Sequence, residues 1–249
     1  MHKPSPTPTF SIITVTRNAA AVLEETLQSV IAQSYRRVEY ILIDGASTDG
    51  TLALAERYRE HIACLVSEPD GGLYDAMNKG MALATGDYLC FLNAGDTFHS
   101  PDTLLLLTHT LHKGELPDVI YGETALVDAA RHPLRMRRLS APAVLTWRSF
   151  RHGMLVSHQA FFARRTLAMP YDLRYRFSSD FDWCIRVMKR AHTLHNTHLI
   201  LIDYLDEGLT TRNRNRSLRE RFRIMAVHYG LPSTLLFHFW FVVRLLVRK

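Results

Sequence analysis

Gly86-Asp-Tyr-Leu-Cys-Phe-Leu-Asn-Ala-Gly-Asp96 is the stretch from which the rest of the chain can be read. Gly86 has the character of a turn residue, and residues 88–92 form a short apolar run of the kind that fills a buried strand. The run stops at Asn93, Ala94, Gly95 and Asp96. A strand that ends on a carboxylate places a hard oxygen ligand at the carboxyl edge of its sheet, where open α/β folds bind ligands. One carboxylate does not hold Mg²⁺ or Mn²⁺ alone, but it can share the ion with the oxygens of a substrate diphosphate. The expectation is a nucleotide-diphosphate pocket built by the residues before Asp96. A second substrate and a base would come from the residues after it.

Upstream, strands and helices alternate. Phe10-Ser-Ile-Ile-Thr-Val15 reads as a strand closed by Thr16, Arg17 and Asn18, and residues 20–33 follow as a helix with Leu23, Leu27, Val30 and Ile31 at helical spacing. Val38-Glu-Tyr-Ile-Leu-Ile43 is a second strand, running into Asp44-Gly-Ala-Ser-Thr-Asp-Gly-Thr51 and a helix through about residue 59. A third strand over 62–66 leads to Glu68-Pro-Asp-Gly-Gly72 and a helix with Leu73, Met77, Met81 and Ala84 on one face. This alternation with short loops implies parallel strands, right-handed crossovers and helices on both faces. Asn18, Asp44, Ser47, Asp49, Asp70 and Asp96 all follow strand ends, so a parallel sheet gathers them at one edge.

Downstream the pattern loosens. Residues 101–112 read as a helix, and 118–122 as a strand able to continue to 127. The segment 131–138 is basic and irregular, and Ser157-His-Gln-Ala-Phe-Phe162 reads as a strand. Residues 171–179 form an aromatic- and arginine-bearing loop; a helix over 180–190 turns Phe181, Cys184, Ile185 and Met188 inward; a last strand covers 198–204. Without repeats or low-complexity linkers, the division is a flexible terminus (1–9), a catalytic domain (10–210, with a nucleotide-binding half 10–97 and an acceptor-binding half 98–210) and a C-terminal helical appendage (211–249).

The 249 residues, 47% hydrophobic and 22% charged, have an ordinary globular composition and suffice for a packed core. Cys64, Cys90 and Cys184 lie far apart without metal-ligand spacing, which reads as free thiols in a reducing compartment. The first nine residues are proline-rich and polar, unlike an apolar leader, so cytoplasmic chemistry is expected. The net charge of +6 is concentrated in 131–138, 212–223 and Arg244, Arg248 and Lys249. No stacking aromatics or nucleic-acid motif accompany these clusters, so no nucleic-acid partner is expected. An anionic membrane surface or a phosphorylated substrate fits them better.

Four segments in order, Ile12-Ile-Thr-Val-Thr-Arg-Asn18, Asp44-Gly-Ala-Ser-Thr-Asp-Gly-Thr51, Asp75-Ala-Met-Asn-Lys-Gly80 and Phe91-Leu-Asn-Ala-Gly-Asp96, together resemble the nucleotide-binding half of family 2 glycosyltransferases. Ser179-Asp-Phe-Asp-Trp183 resembles the later acidic motif of that family, and the likeness covers about residues 10–205. It implies the GT-A fold of nucleotide-diphospho-sugar transferases: a mostly parallel central sheet with helices on both faces. It also implies a sugar-nucleotide donor (UDP-sugar by family preference), Mg²⁺ or Mn²⁺, and work in polysaccharide or glycolipid assembly. By resemblance, Asp44 meets the nucleotide base, Asn18 takes the family's position after the first strand, and Asp96 touches metal. Asp180 falls on the catalytic aspartate, and His158 and Gln159 lie near the acceptor. The family usually presents further acids where this chain has Asn93 and Gly95.

Each of these residues also has a plainer reading. An acceptor-only carboxylate at Asp44 suits the ring N–H of uracil or guanine, yet Asp-Gly is ordinary turn chemistry. Ser47 and Asp49 can line the nucleotide pocket or turn the chain into the next helix; Asn18 can equally close its loop. Asn78 and Lys79 are placed on the polar side of their helix, where Lys79 can neutralise phosphate or pair with Asp75 at i,i+4. Asp96 can cap a turn before Thr97. Asp182 suits an ion pair with Arg186, whereas Asp180 stands at the helix start as either cap or base.

Residues 212–223 lead into a basic helix that Gly230-Leu-Pro232 breaks, and residues 235–247 are apolar nearly all round except His238 and Arg244. A bilayer span needs about 20 apolar residues. A helix lying in the membrane interface, with Trp240 at headgroup depth, fits the shorter run; the plainer reading docks it on the protein or a dimer partner. Two other functions compete with sugar transfer. A sugar nucleotidyltransferase would release pyrophosphate, but no glycine-rich, lysine-bearing loop follows the first strand. A non-catalytic membrane-associated partner would show no donor hydrolysis, and the intact acids argue against it.

Overall fold

Every residue of β1 (Phe10–Thr16) is buried, as a strand covered on both faces requires. Around it the computed structural model, which describes residues 7–112, 116–206 and 214–247, shows the expected alternation. It runs α1 (Ala20–Ile31), β2 (Val38–Asp44), α2 (Thr51–Arg57), β3 (Cys64–Ser67), α3 (Leu73–Leu83) and β4 (Tyr88–Phe91). β2 and β4 flank β1, β3 flanks β2, and all three pairings are parallel. α3 sits so close to this half-sheet that a Cβ on Gly80 would overlap Ile13 Cγ2. Only glycine lets the helix approach that far.

The second half of the sheet is mixed. It comprises β5 (Thr97–Phe98), α4 (Thr103–Thr110), β6 (Val119–Val127), β7 (Pro133–Met136), β8 (Phe161–Arg164), α5 (Ser179–Arg190) and β9 (Leu194–Leu205). β8 inserts antiparallel between β4 and β6, β9 runs parallel to β6, and β5 closes the far edge antiparallel to β9. The irregular segment expected over 131–138 contains β7, which folds back on β6 as a hairpin. All four β7 residues are exposed, so the strand leaves no burial pattern to read. The strand expected over 157–162 is a 3₁₀ turn, His158–Ala160, followed by β8. The last strand begins at Leu194, earlier than its apolar core suggests.

The C-terminal helices α6 (Arg214–Tyr229) and α7 (Leu231–Val247) meet at Gly230, whose φ of 81° is cheap only for glycine. α6 is part of the domain body: Ile224 and Met225 are buried, Glu220 accepts the Arg176 and Phe177 N–H groups at 2.9 and 2.8 Å, and Ser178 meets Ser217 at 2.9 Å. At the other end, residues 7–9 are tied down. The Thr9 N–H donates to Asp87 at 2.8 Å and Pro8 O accepts from Tyr35 at 2.6 Å; the rest of the terminus expected to be flexible, 1–6, lies outside the described residues. All three cysteines are unpaired, and Cys90 and Cys184 are buried. No described helix is long and apolar enough to cross a membrane.

Candidate active site

The carboxyl ends of β1 and β2 are laced to each other. Asn18 is left-handed (φ 50°); its N–H donates to Ser47 Oγ at 2.8 Å, and its Oδ1 accepts from the Thr48 N–H at 2.9 Å. Asp44, fully buried at the end of β2, accepts the Ser47 N–H at 3.0 Å and the Ser67 hydroxyl at 2.6 Å on Oδ2, and the Ser47 hydroxyl on Oδ1. Few of its lone-pair positions remain for a nucleobase. A Cβ on the neighbouring Gly45 would overlap Asp70 Oδ2, so Asp70 crosses directly over this loop. Asp49 binds the Thr51 hydroxyl and N–H and reaches the Ala20 N–H at 3.3 Å, serving the starts of both α2 and α1. The Thr51 hydroxyl, then its N–H, holds the Asp49 carboxyl below its usual pKa.

On α3, Asn78 donates to Tyr171 O at 3.0 Å and accepts the Tyr171 N–H at 2.7 Å, so both ends of its amide clamp the 171 loop. Lys79 reaches Glu68 at 2.7 Å and Pro69 O at 2.8 Å; the expected Asp75 pair is the longest contact, at 3.9 Å. Glu68's hydrogen bond raises the ammonium's pKa. Both side chains are engaged within the protein.

Asp96 differs from the expectation of a carboxylate open to a pocket. It is 4% exposed, accepts Gln159 Nε2 at 2.8 Å on Oδ2 and the Leu205 N–H at 3.2 Å on Oδ1. Burial pushes its pKa to about 6, against the pull of Gln159, Leu205, His158 and Arg131. Gln159, expected near the acceptor, is thus the partner of Asp96. Its loop is braced by Arg131, which pairs with Glu25 and donates to Gly95 O at 2.7 Å. Among the described residues no cluster of three His, Cys, Asp or Glu side chains could hold a metal. The Asp96 carboxylate supplies hard oxygens of the type Mg²⁺ or Mn²⁺ takes, and a single such group would need the oxygens of a diphosphate to complete the ion's shell.

The helix start that carries Asp180 is where distant elements converge. Asp180 Oδ1 accepts the Tyr74 hydroxyl at 2.9 Å, and Oδ2 lies 3.3 Å from His158 Nδ1. His158 Nε2 in turn lies 3.4 Å from Asn93 Nδ2, while Asn93 Oδ1 is buried without a hydrogen-bond partner. Burial alone would raise the Asp180 pKa; the His158 contact, Arg221 and the Tyr74 hydroxyl outweigh it and hold it at about 2. Tyr74 is itself stacked on Tyr171 at a centroid separation of 5.3 Å, and Tyr171 in turn stacks on Trp183 at 5.1 Å. Asp182, the competing acid, is committed elsewhere: Arg186 donates to it at 2.6 Å, and His228 of α6 sits 2.7 Å away.

Sequence reading did not anticipate Tyr74, Asn93, Ser67, Arg137, Arg221 or His228. Only Asn93 carried a visible signal, as a polar residue at the end of the β4 run. The basic segment 131–138 is largely spent inside the protein: Arg135 pairs with Asp206 at 3.1 Å, and Arg137 donates to Leu139 O and Leu155 O. Burial and the neighbouring Arg221 lower the Arg137 pKa to about 10.

A parallel half-sheet joined to a mixed half, with helices at the C-terminus, is the architecture of the GT-A glycosyltransferases. Residues 1–349 of Staphylococcus aureus TarS in complex with UDP-GlcNAc superpose with a TM-score of 0.67 at 19% identity, over 94% of this chain and 73% of that fragment. The mannosyltransferase PcManGT of Pyrobaculum calidifontis, with GDP-Man and Mn²⁺, gives 0.65 at 18% identity, over 95% and 76%. The chain belongs to glycosyl transferase family 2, whose model matches residues 11–169, and is a glycosyltransferase. It is 35% identical over 208 residues to a PGL/p-HBAD biosynthesis glycosyltransferase of Mycobacterium bovis, covering 81% of this chain and 78% of the relative. It is 27% identical to the amylovoran biosynthesis glycosyltransferase of Erwinia amylovora, over 77% and 70%.

Proposed function

We propose that the protein is an inverting, metal-dependent glycosyltransferase that moves a sugar from a nucleotide-diphosphate donor, with UDP-sugars favoured, to a saccharide or lipid-linked acceptor in polysaccharide or glycolipid assembly. One observation carries the reading: residues 158 and 159 bridge the two acids, with His158 against Asp180 and Gln159 on Asp96. The carboxylate read as the base and the carboxylate read as the metal ligand thus lie on either side of one turn, which supports the reading. The relatives that make glycolipid and amylovoran support the product class, and the neighbours bound to UDP-GlcNAc and to GDP-Man support the donor class.

Asp96 would hold the divalent ion, which when bound supplies charge stabilisation for the departing diphosphate. Asp44, Asn18, Ser47 and Asp49 shape the nucleotide loops, with Asp44 nearest the role of base acceptor. A nucleotide role for Asn78 and Lys79 rests on the family likeness alone. Asp180, with His158 beside it on the acceptor side, takes the acceptor hydroxyl's proton while the hydroxyl oxygen attacks the anomeric carbon from the face opposite the diphosphate. No side chain is then needed as a covalent intermediate, and inversion follows.

α7 supports peripheral attachment on the cytoplasmic face of a membrane. Leu235, Leu236, Phe239 and Val242 are all more than half exposed on a helix too short to span. A second copy of the chain is the competing occupant of that face. The Arg244 side chain, Arg248 and Lys249, expected to face anionic lipid, lie outside the described residues.

The test is a melting panel of UDP, GDP, UDP-GlcNAc and GDP-mannose with and without Mn²⁺, followed by Asp180→Asn. The variant should keep ligand-linked stabilisation and lose transfer by about 10³-fold or more. Normal turnover by Asp180→Asn removes Asp180 from the base role.

A further inference from the structure

We propose that the 3₁₀ turn Trp147–His152, Tyr229 at the end of α6 and Lys189 at the end of α5 form a binding site for the headgroup phosphate of anionic membrane lipids, continuous with the exposed face of α7. The site rests on the peripheral attachment proposed above and deepens it: α7 supplies the apolar half of a docking surface, and the turn supplies the charged half.

Two rings form its base. Trp147 and Tyr229 stack at 5.3 Å with their planes 5° apart, and the Tyr229 hydroxyl donates to Trp147 O at 2.6 Å. Three cations surround the stack. Arg148 Cζ lies 4.7 Å and Lys189 Nζ 4.8 Å from the centre of the Trp147 ring, and Arg151 Cζ lies 5.1 Å from that of Tyr229. A ring face holds a cation through its electron density and leaves the N–H donors for oxygens. Two guanidinium forks and an ammonium around one ring pair match the charge and the oxygens of a phosphate.

No acid answers these charges. The ion pairs among the described residues involve none of Arg148, Arg151 and Lys189. Lys189 meets His228 Nδ1 at 2.9 Å, and Arg151 Nε is buried without a hydrogen-bond partner. Burial lowers the Lys189 pKa against the pull of Asp182, a penalty that a bound anion would offset. Arg131 and Arg135, in the basic segment that the sequence advertises, are paired with Glu25 and Asp206. What that segment spends inside the protein, the turn keeps at its surface, where Arg148 and Lys189 are exposed.

The turn is also fastened to α7. His152, its last residue, packs edge-on against Phe237 at 5.0 Å and Trp240 at 5.6 Å. Leu236 and Val243 lie one helical turn to either side of Trp240 and share its face, at 66% and 37% exposure. The cations therefore border the apolar face as headgroups border acyl chains, a boundary that Trp and Tyr rings favour. Lys189 and Asp180 are carried by the same helix, about 14 Å apart along its axis. That sets the lipid surface one short helix from the residue read as the base.

Charge decides between a membrane and a second copy of the chain. Neither the turn nor α7 contains an acid. A two-fold dimer through this face would set the same cations against one another, whereas an anionic leaflet complements them.

The test is co-sedimentation of the full chain with vesicles of phosphatidylcholine alone, and of phosphatidylcholine and phosphatidylglycerol in equal parts. Wild type should bind the anionic vesicles at least about tenfold more tightly, and added salt should weaken that binding. Each basic residue at an anionic surface strengthens binding about fivefold, so Arg148→Gln and Lys189→Gln should each weaken it by that factor and together by about 25-fold. Melting curves check that both variants fold. Arg36→Gln removes the same charge from an exposed position ahead of β2, in the other half of the sheet, and should change binding less than about twofold. If Arg148→Gln and Lys189→Gln weaken binding no more than Arg36→Gln does, or wild type binds neutral vesicles equally well, the phosphate site fails and attachment through α7 stands. If wild type sediments with neither vesicle, or is a dimer that Leu236→Glu with Phe239→Glu dissociates, both fail.

Discussion

The two halves of the sheet differ in where their polar residues find partners. In the β1–β4 half, partners are mostly supplied by the same loop or the next one: Asp44 by Ser47, Asp49 by Thr51, Asn18 by Thr48. In the mixed half they come from across the chain. Gln159 reaches back 63 residues to Asp96, and Asp180 reaches 106 residues to Tyr74. Asp182 is joined to α6 through His228. The first half is a set of pre-folded loops on a close-packed parallel sheet. The second is a set of side chains that become a site only when α3, α5, α6 and the 158 turn have docked.

Four outcomes would sharpen or break that contrast. The largest effect is expected in the second half. Asp182→Ala leaves Arg186 and His228 without their buried anion and should cost about 3–5 kcal/mol in urea unfolding. A double-mutant cycle with His228→Ala should show strong coupling, and additive losses would mean that α6 is not held through this contact. In the first half, Gly80→Ala forces a Cβ into Ile13 and should cost about 1–3 kcal/mol, with α3 displaced from the sheet. A neutral result would show that the parallel half is looser than its packing indicates.

Next comes acid stability. Asp180 has a folded pKa near 2 against an ordinary value of 3.8, so its stabilisation is present above pH 4 and is lost as pH falls from 4 through 2. The loss should be about 2 kcal/mol. His158→Asn, which removes the main partner, should flatten that limb; an unchanged limb would locate the stabilisation elsewhere. The smallest effect on stability belongs to α7. Leu236→Glu with Phe239→Glu, both well exposed, should change unfolding by no more than about 1 kcal/mol in total. The pair should nevertheless abolish sedimentation with vesicles containing phosphatidylglycerol. Vesicle binding that persists, or a dimer that dissociates, would assign that face to another occupant.

The contacts that the sequence hides follow from the same contrast. Gln159, expected near the acceptor, also bonds Asp96, a contact that nothing near 159 in sequence announces because the acid lies 63 residues earlier. The arginines of 131–138 suggested a surface for anions, but Arg131, Arg135 and Arg137 are spent on Glu25, Asp206 and main-chain carbonyls. The helices expected at the C-terminus are present, and the buried contacts of Ile224, Met225 and Ser217 that seat the first of them lie hidden in the sequence among its basic residues.

What the sequence determined alone is the parallel half-sheet, the order of its elements, and the edge on which Asn18, Asp44, Asp49 and Asp96 fall. Those features depend on apolar runs, turn residues and helix starts, whose physics is local. What only the tertiary structure decided is that Asp96 is enclosed by Gln159 and Leu205, that Asp180 is held by Tyr74 and His158, and that α6 packs against the helix bearing it. A buried polar group must be satisfied by whichever partner folding brings within about 3 Å, and sequence spacing places no limit on how far along the chain that partner lies.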